Sequence, residues 1–75
     1  MDLTNLKPGH KAWIKDIAGV SGQLKRRLID LGVMEGAEII IQRALPFGGP
    51  LTIEMGGQWI GIRRSDAKNI LLEMK

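Results

Sequence analysis

Short runs in which apolar and polar residues alternate, three of them followed within two residues by glycine or proline, constrain this chain more than any other feature. The runs cover residues 11–17, 37–44, 51–55, 58–63 and 70–74. A period of two is typical of strands that bury one face. Frequent turns between such short strands favour a sheet that curls on itself, because a small barrel leaves few exposed edges. We therefore predict a mainly β fold, a small barrel of about five strands with one short helix.

The alternation assigns an inner and an outer face to each strand. The inner faces are predicted to carry Ala12, Ile14, Ile39, Ile41, Leu51, Ile53, Met55, Ile60 and Ile62. Ile70, Leu72 and Met74 are predicted to close the sheet as a final short strand. Trp13, Ile40 and Trp59 then face outward, although the chain has only three aromatic residues. Because aromatic side chains are enriched at interface hot spots, we predict that two of these three, with Phe47, form a surface for a partner or for weak self-association. The alternative is that the helix or a long loop covers them.

Glycine and proline indicate where the chain turns. Pro8-Gly9 is typical of a β-turn, and Gly56-Gly57 of a two-residue hairpin. Two prolines and two glycines within residues 46–50 predict a loop, since they cannot sustain a strand ladder. Ser65 and Asp66 are predicted to open a single helical turn over residues 67–69.

One amphipathic helix is predicted between the first two strands. Ser21 is a favourable N-cap, and Gly32 supplies the left-handed residue that ends a helix. The apolar positions between them recur at helical spacing: Leu24, Leu28 and Leu31. Ile29 lies about 140° round from Leu24 by helical geometry, and we expect a neighbouring loop to cover it.

The charged face of this helix contains the densest basic cluster, Lys25-Arg26-Arg27. Arg26 and Asp30 are four residues apart and predict a weak ion pair. A formal net charge of +3 is mild, so we interpret the cluster as a solvated helix face. The alternative is a small basic barrel that binds nucleic acid.

Length and composition exclude several classes of protein. Seventy-five residues predict one domain, residues 1–75, with a single core. The absence of cysteine excludes a disulfide framework and a thiolate metal site, which favours a reducing, cytoplasmic location. No apolar run is longer than three residues, as at residues 39–41, which falls far short of the roughly 20 residues that span a bilayer, so we predict no membrane insertion.

Catalytic and metal-binding residue patterns are sparse. The sole histidine, His10, follows a predicted turn and has no nucleophile beside it, and no P-loop motif is present. We therefore predict a non-enzyme without a cofactor. His10 with Asp16 or Glu54 could form a weak metal site only if the fold gathers them.

Several motifs together resemble the FeoA family, over nearly the whole chain. The matching features are the Arg-Arg-Leu-Ile-Asp-Leu-Gly run at 26–32, Leu6 with Pro8-Gly9, Ala12 with Ile14, Gly48 with Pro50, and Ile62-Arg63 with Ala67 and Ile70. Glu35 stands where the family often has proline, and Gly49 where it often has aspartate.

The resemblance implies an SH3-like barrel and a cytoplasmic accessory of the ferrous iron permease FeoB, whose cytoplasmic portion binds GTP. Similar domains also occur attached to metal-dependent repressors, but no helix-turn-helix is present in this sequence, so the transport role is favoured. A further alternative is that Arg26 or Arg27 activates the GTPase of the partner as an arginine finger.

Overall fold

A computed structural model describes residues 1–44 and 49–74, which contain a five-stranded antiparallel sheet. The strands are β1 (Lys11–Asp16), β2 (Glu38–Ala44), β3 (Leu51–Met55), β4 (Gln58–Ile62) and β5 (Leu71–Met74). Their order in the sheet is β4-β3-β2-β1-β5. Two helices, α1 (Gly22–Asp30) and α2 (Arg64–Ala67), and a 3-10 turn at Leu3–Asn5 complete the fold. The predicted mainly β fold of five strands with one main helix is therefore confirmed.

The alternation in each strand determines which side chains form the core. All but one of the inner-face residues predicted for the first four strands are buried, and the exception, Met55, is partly buried against the core. In the closing strand Leu72 is buried, as is Ile70 just before it, whereas Met74 is 47% exposed. Met74 pairs with Ala12 at the last position of β5, beyond Leu71 and Leu72, which the amino-terminal segment contacts.

The turns follow their glycine residues. Gly56 and Gly57 have φ of 57° and 82°, and the flanking Met55 and Gln58 pair across the hairpin. Such positive φ angles at both central positions are typical of the turn that matches the twist of two antiparallel strands. The Pro8-Gly9 turn is also confirmed, since the backbone N–H of His10 donates to the Lys7 carbonyl at 3.1 Å. Of the loop predicted at 46–50, only residues 49 and 50 are among those described.

Helix α1 begins and ends at the predicted capping residues. The Ser21 hydroxyl accepts a hydrogen bond from the Leu24 N–H at 3.4 Å. At the other end Gly32 has φ of 85°, its N–H donates to the Ile29 carbonyl at 3.0 Å, and the Val33 N–H donates to the Leu28 carbonyl at 2.7 Å. These two bonds form a Schellman motif, which satisfies carbonyls that the helix leaves unpaired.

The inner face of α1 packs as predicted, but its outer face differs in two respects. Ile29 is 47% exposed, so the expectation that a loop covers it is wrong, because this residue lies on the solvent side of the helix. Arg26 and Asp30 form no ion pair among the described residues. Exposed pairs of this kind gain little over separate solvation, which explains the difference.

The amino-terminal segment contributes structure that the sequence pattern does not predict. Leu3 is fully buried, and its N–H donates to the Ile70 carbonyl at 3.0 Å. The Leu72 N–H donates to the Met1 carbonyl at 2.8 Å, and Asp2 forms a bridge with Leu71. The first residues of the chain therefore pair with the outer edge of β5.

Helix α2 begins earlier than predicted. It spans Arg64–Ala67, its N-cap is Arg63, and no side chain caps it. Ser65 and Asp66 consequently lie inside the helix rather than at its start, and Asp66 is a buried acid. Asp66 bonds to a distant part of the chain, so its local sequence did not reveal its role.

A candidate partner-binding groove between α1 and β4

A groove runs between α1 and β4, and we call it the α1/β4 groove. It consists of two adjoining concavities of about 310 and 410 Å³, which share Gln23 and Arg27 as lining residues. The principal side chains and backbone positions around it are Gln23, Arg26 and Arg27 from α1, Trp59 and Gly61 from β4, and Arg63 from the N-cap of α2. The structure therefore places Trp59, Arg26 and Arg27 around one open surface.

Packing of α1 determines which of its residues face β4. Leu24 and Leu28 are buried in the core, which fixes the rotation of the helix. By helical geometry Arg27 then lies about 60° from Leu24 on one flank, and Arg26 lies about 100° further round. Arg27 accordingly lines both concavities, whereas Arg26 lies at the rim of the larger one.

Asp66 connects α2 to the start of α1. It is only 6% exposed, and its Oδ1 accepts a hydrogen bond from the Ser21 backbone N–H at 3.2 Å. Its Oδ2 accepts a hydrogen bond from Arg63 Nη2 at 3.1 Å. The carboxylate thus holds the N-terminus of α1 and the guanidinium of Arg63 at one end of the groove. The sequence pattern around Asp66 does not reveal this contact, because its partner Ser21 is 45 positions away.

Trp59 is the most exposed large apolar side chain among the described residues, at 61%. It pairs with Glu54 of β3, and Glu54 pairs in turn with Ile40 of β2. The Glu54 carboxylate accepts a hydrogen bond from the Gln42 side chain. Trp59 and Ile40 therefore lie in one row across the sheet, but a carboxylate separates them and Ile40 is partly buried.

The remaining predicted surface residues lie elsewhere. Trp13 is 39% exposed and pairs with Glu38 and Glu73, so it lies on the β2-β1-β5 part of the sheet. Trp13 is diagonal to Ile40 across the β1-β2 pair, within reach of a large aromatic side chain. Phe47 lies outside the described residues. The predicted set thus separates into the α1/β4 groove and a second area around Trp13 and Ile40.

Metal-binding residues do not cluster in residues 1–44 and 49–74, where no three side chains of the ligating types converge. His10 Nδ1 accepts the Lys7 N–H at 3.4 Å, and Asp16 accepts the Ala18 N–H at 2.7 Å. His10, Asp16 and Glu54 therefore do not form a three-ligand site in this part of the chain. No helix in this part of the chain has the length and apolar character needed to cross a bilayer.

The strand order, the short helices and the open groove define a small SH3-like barrel domain. The chain belongs to the FeoA family, since the family model of the FeoA domain matches residues 1–74. Among curated proteins no significant match is found.

Solved structures agree with this assignment. The FeoA protein of Chlorobium tepidum is 32% identical, with a TM-score of 0.89, and the match covers 99% of this chain and 70% of that one. Iron(II) transport protein A of Clostridium thermocellum is 36% identical, with a TM-score of 0.84, over 99% of this chain and 45% of that one. Stenotrophomonas maltophilia FeoA in complex with zinc is 26% identical, with a TM-score of 0.80, over 97% and 89%. That protein is described as a prokaryotic SH3 domain protein and a candidate activating factor of ferrous iron transport.

Proposed function

We propose that this chain is an accessory protein of ferrous iron uptake that acts in the cytoplasm by binding the GTP-binding portion of a FeoB-type permease. Membership of the FeoA family and the description of the Stenotrophomonas relative support this role. The observation that carries it is the exposed Trp59 beside Arg26 and Arg27 in an open groove. Tryptophan and arginine are the residues most enriched at interface hot spots.

The contribution of Trp59 to the binding free energy follows from how much of its side chain is exposed. Burial of the exposed part of a tryptophan contributes about 2–4 kcal/mol. Arg26 and Arg27 add donors that bind carboxylates in a bidentate manner, which gives orientation as well as attraction. A partner that covers the α1/β4 groove therefore gains a substantial part of its affinity from Trp59 and part of its specificity from the arginines.

Binding to the purified cytoplasmic portion of the permease tests the proposal, with the dissociation constant measured by calorimetry. We expect Trp59→Ala to weaken binding at least about tenfold, because an interface tryptophan is commonly a hot spot. Ile29→Ala is the matched control, since Ile29 is exposed on the opposite flank of α1. Trp13→Ala tests the second area around Trp13 and Ile40. Unchanged affinity for Trp59→Ala, with an unchanged melting temperature, would contradict the use of the groove.

The same reagents separate the alternative functions. Contacts to nucleic-acid phosphates make affinity fall steeply with salt, so tight salt-sensitive binding to duplex DNA or RNA would favour the nucleic-acid alternative. An arginine finger accelerates GTP hydrolysis by about 10³–10⁵-fold. If saturating amounts of the chain leave GTP hydrolysis by the permease unaltered, Arg26 and Arg27 do not act in this way.

A further inference from the structure

The free edge of β4 borders the α1/β4 groove. β4 is the last strand at one end of the sheet order, so only its β3 side is paired with a strand. Met55 and Gln58 flank a two-residue hairpin loop and therefore form a hydrogen-bonded pair. Because hydrogen-bonded and non-hydrogen-bonded pairs alternate, the backbone groups of Trp59 and Gly61 point away from β3. Within residues 1–44 and 49–74, no backbone hydrogen bond from outside the sheet reaches them.

The two ends of the sheet differ in this respect. At the opposite end, the outer edge of β5 is paired with the amino-terminal segment, where the Leu72 N–H donates to the Met1 carbonyl and the Leu3 N–H donates to the Ile70 carbonyl. Unpaired strand edges readily accept another chain, and proteins usually cover or charge them. The open edge of β4 is therefore a specific feature of this fold.

Gly61 is a second, independent observation at this edge. Its φ is not in the left-handed region, and a Cβ added at this position would meet no atom within 4 Å. Neither the backbone conformation nor the local packing of the chain therefore requires glycine here. A glycine in a strand interior often marks a place where another backbone approaches closely.

The charge around the edge indicates the chemistry of an occupant. Arg26, Arg27 and Arg63 surround the groove, and the acids that line it are Asp30 and Asp66. Asp66 is buried and paired with Arg63, which leaves the two helix arginines opposed by Asp30. The accessible groove is thus positively charged and complements carboxylate side chains.

We propose that the edge of β4 binds an extended acidic segment of a protein partner, which adds to the sheet as a further strand. This inference rests on the proposed function, since it names the kind of segment that a partner presents to the α1/β4 groove. Backbone groups of Trp59 and Gly61 pair with the segment, the Trp59 ring packs on its side chains, and Arg26 and Arg27 bind its carboxylates. Strand addition of this type takes affinity from the backbone and specificity from side chains.

A synthetic peptide of alternating glutamate and valine, acetylated and amidated at its ends, is the probe. Nuclear magnetic resonance of the ¹⁵N-labelled chain should show binding, with slowed hydrogen exchange at the amides of Trp59 and Gly61. A lysine–valine peptide of the same length should bind at least about tenfold more weakly, because like charges repel. Absence of binding by the acidic peptide, or binding without protection of these two amides, would overturn the proposal.

Two N-methylated forms of the acidic peptide test the backbone pairing directly. Successive N–H groups of an extended chain point to opposite edges, so methylation of every glutamate and methylation of every valine block different edges. One form should lose binding and the other should retain it. Equal affinity of the two forms would show that no strand is added.

Variants of the chain supply the complementary test. Gly61→Pro removes a backbone N–H that points away from β3 and pairs with no strand, and edge strands tolerate proline at such positions. This variant should bind the acidic peptide about three- to tenfold more weakly. Arg27→Gln should weaken binding of the acidic peptide by a similar factor. Lys25→Gln removes the same charge from the far flank of α1 and should leave the affinity for the peptide unchanged. If Gly61→Pro does not fold, the N-methylated peptides decide the question. Equal effects of Arg27→Gln and Lys25→Gln would contradict a groove-bound acidic segment.

Binding of the permease portion tests the proposed function separately from strand addition. If its cytoplasmic portion binds without protecting the amides of Trp59 and Gly61, strand addition is wrong and the proposed function stands. If the acidic peptide binds the edge but the permease portion does not bind, the site is real and the proposed partner is wrong.

Discussion

Replacement of Asp66 by alanine should destabilise the fold more than replacement of any other polar residue that lines the α1/β4 groove. The substitution removes the acceptor of the Ser21 N–H and leaves that donor without its partner. Loss of a hydrogen bond to a charged group costs about 1.5–3 kcal/mol. The Arg63 ion pair adds about 0–1 kcal/mol, because the arginine side chain is largely exposed. We therefore expect a loss of about 2–3 kcal/mol in the free energy of unfolding.

A domain of this size has a total stability of roughly 4–11 kcal/mol, so this loss is a substantial fraction. The melting temperature should fall by roughly 10–20 °C, since 1 kcal/mol corresponds to about 4–8 °C in a domain of 60–100 residues. Thermal unfolding monitored by circular dichroism, together with urea titration, measures both quantities.

Two matched variants separate the contributions of the carboxylate. Asp66→Asn keeps a carbonyl oxygen that can accept the Ser21 N–H, and Arg63→Ala removes only the ion pair, so each should cost about 1 kcal/mol or less. The reasoning is refuted if Arg63→Ala destabilises as much as Asp66→Ala, or if Asp66→Ala melts at the temperature of the unmodified chain.

Three further predictions concern α1 and the proposed interface. Gly32→Ala should lower the free energy of unfolding, measured in urea, by about 1–2 kcal/mol, because Gly32 has a positive φ. Gly22→Ala, in the first turn of the same helix, should leave it unchanged or raise it by up to about 1 kcal/mol. A similar loss at both positions would contradict the Schellman motif. In the same assay Leu28→Ala should lower the free energy of unfolding by about 2–5 kcal/mol, whereas Ile29→Ala should lower it by less than about 0.5 kcal/mol. The reverse order would contradict the observed rotation of α1. Affinity for the acidic peptide should fall as sodium chloride rises from 50 to 500 mM, and an affinity independent of salt would argue against arginine contacts.

The parts of the fold that depend on local periodicity were predictable from sequence. Ile39, Ile41 and Ile53 are buried because a period of two has only one inward phase. The ends of α1 were predictable for a similar reason, since Ser21 and Gly32 cap a helix through atoms within a few residues.

The groove could not be derived in this way, because it depends on contacts between distant segments. Arg27 and Trp59 are 32 positions apart, and nothing in their neighbourhoods specifies that α1 lies beside the edge of β4. Exposure of Trp59 followed from alternation, but its proximity to the helix arginines required the fold. The role of Asp66 was not predictable for the same reason, since its carboxylate accepts a hydrogen bond from Ser21, which is 45 positions away.

Pairing of the first residues with β5 sets a limit on how copies of this barrel assemble. A sheet with two open ends can add neighbours indefinitely and grow into a fibre. Here residues 1 and 2 contact β5 at one end, so two copies that paired through their β4 edges would leave no open strand edge for a third copy. Removal of residues 1 and 2 would take away the contacts of Met1 and Asp2 with β5 and would leave the buried Leu3 in place, so both ends of the sheet would then be open to a further strand.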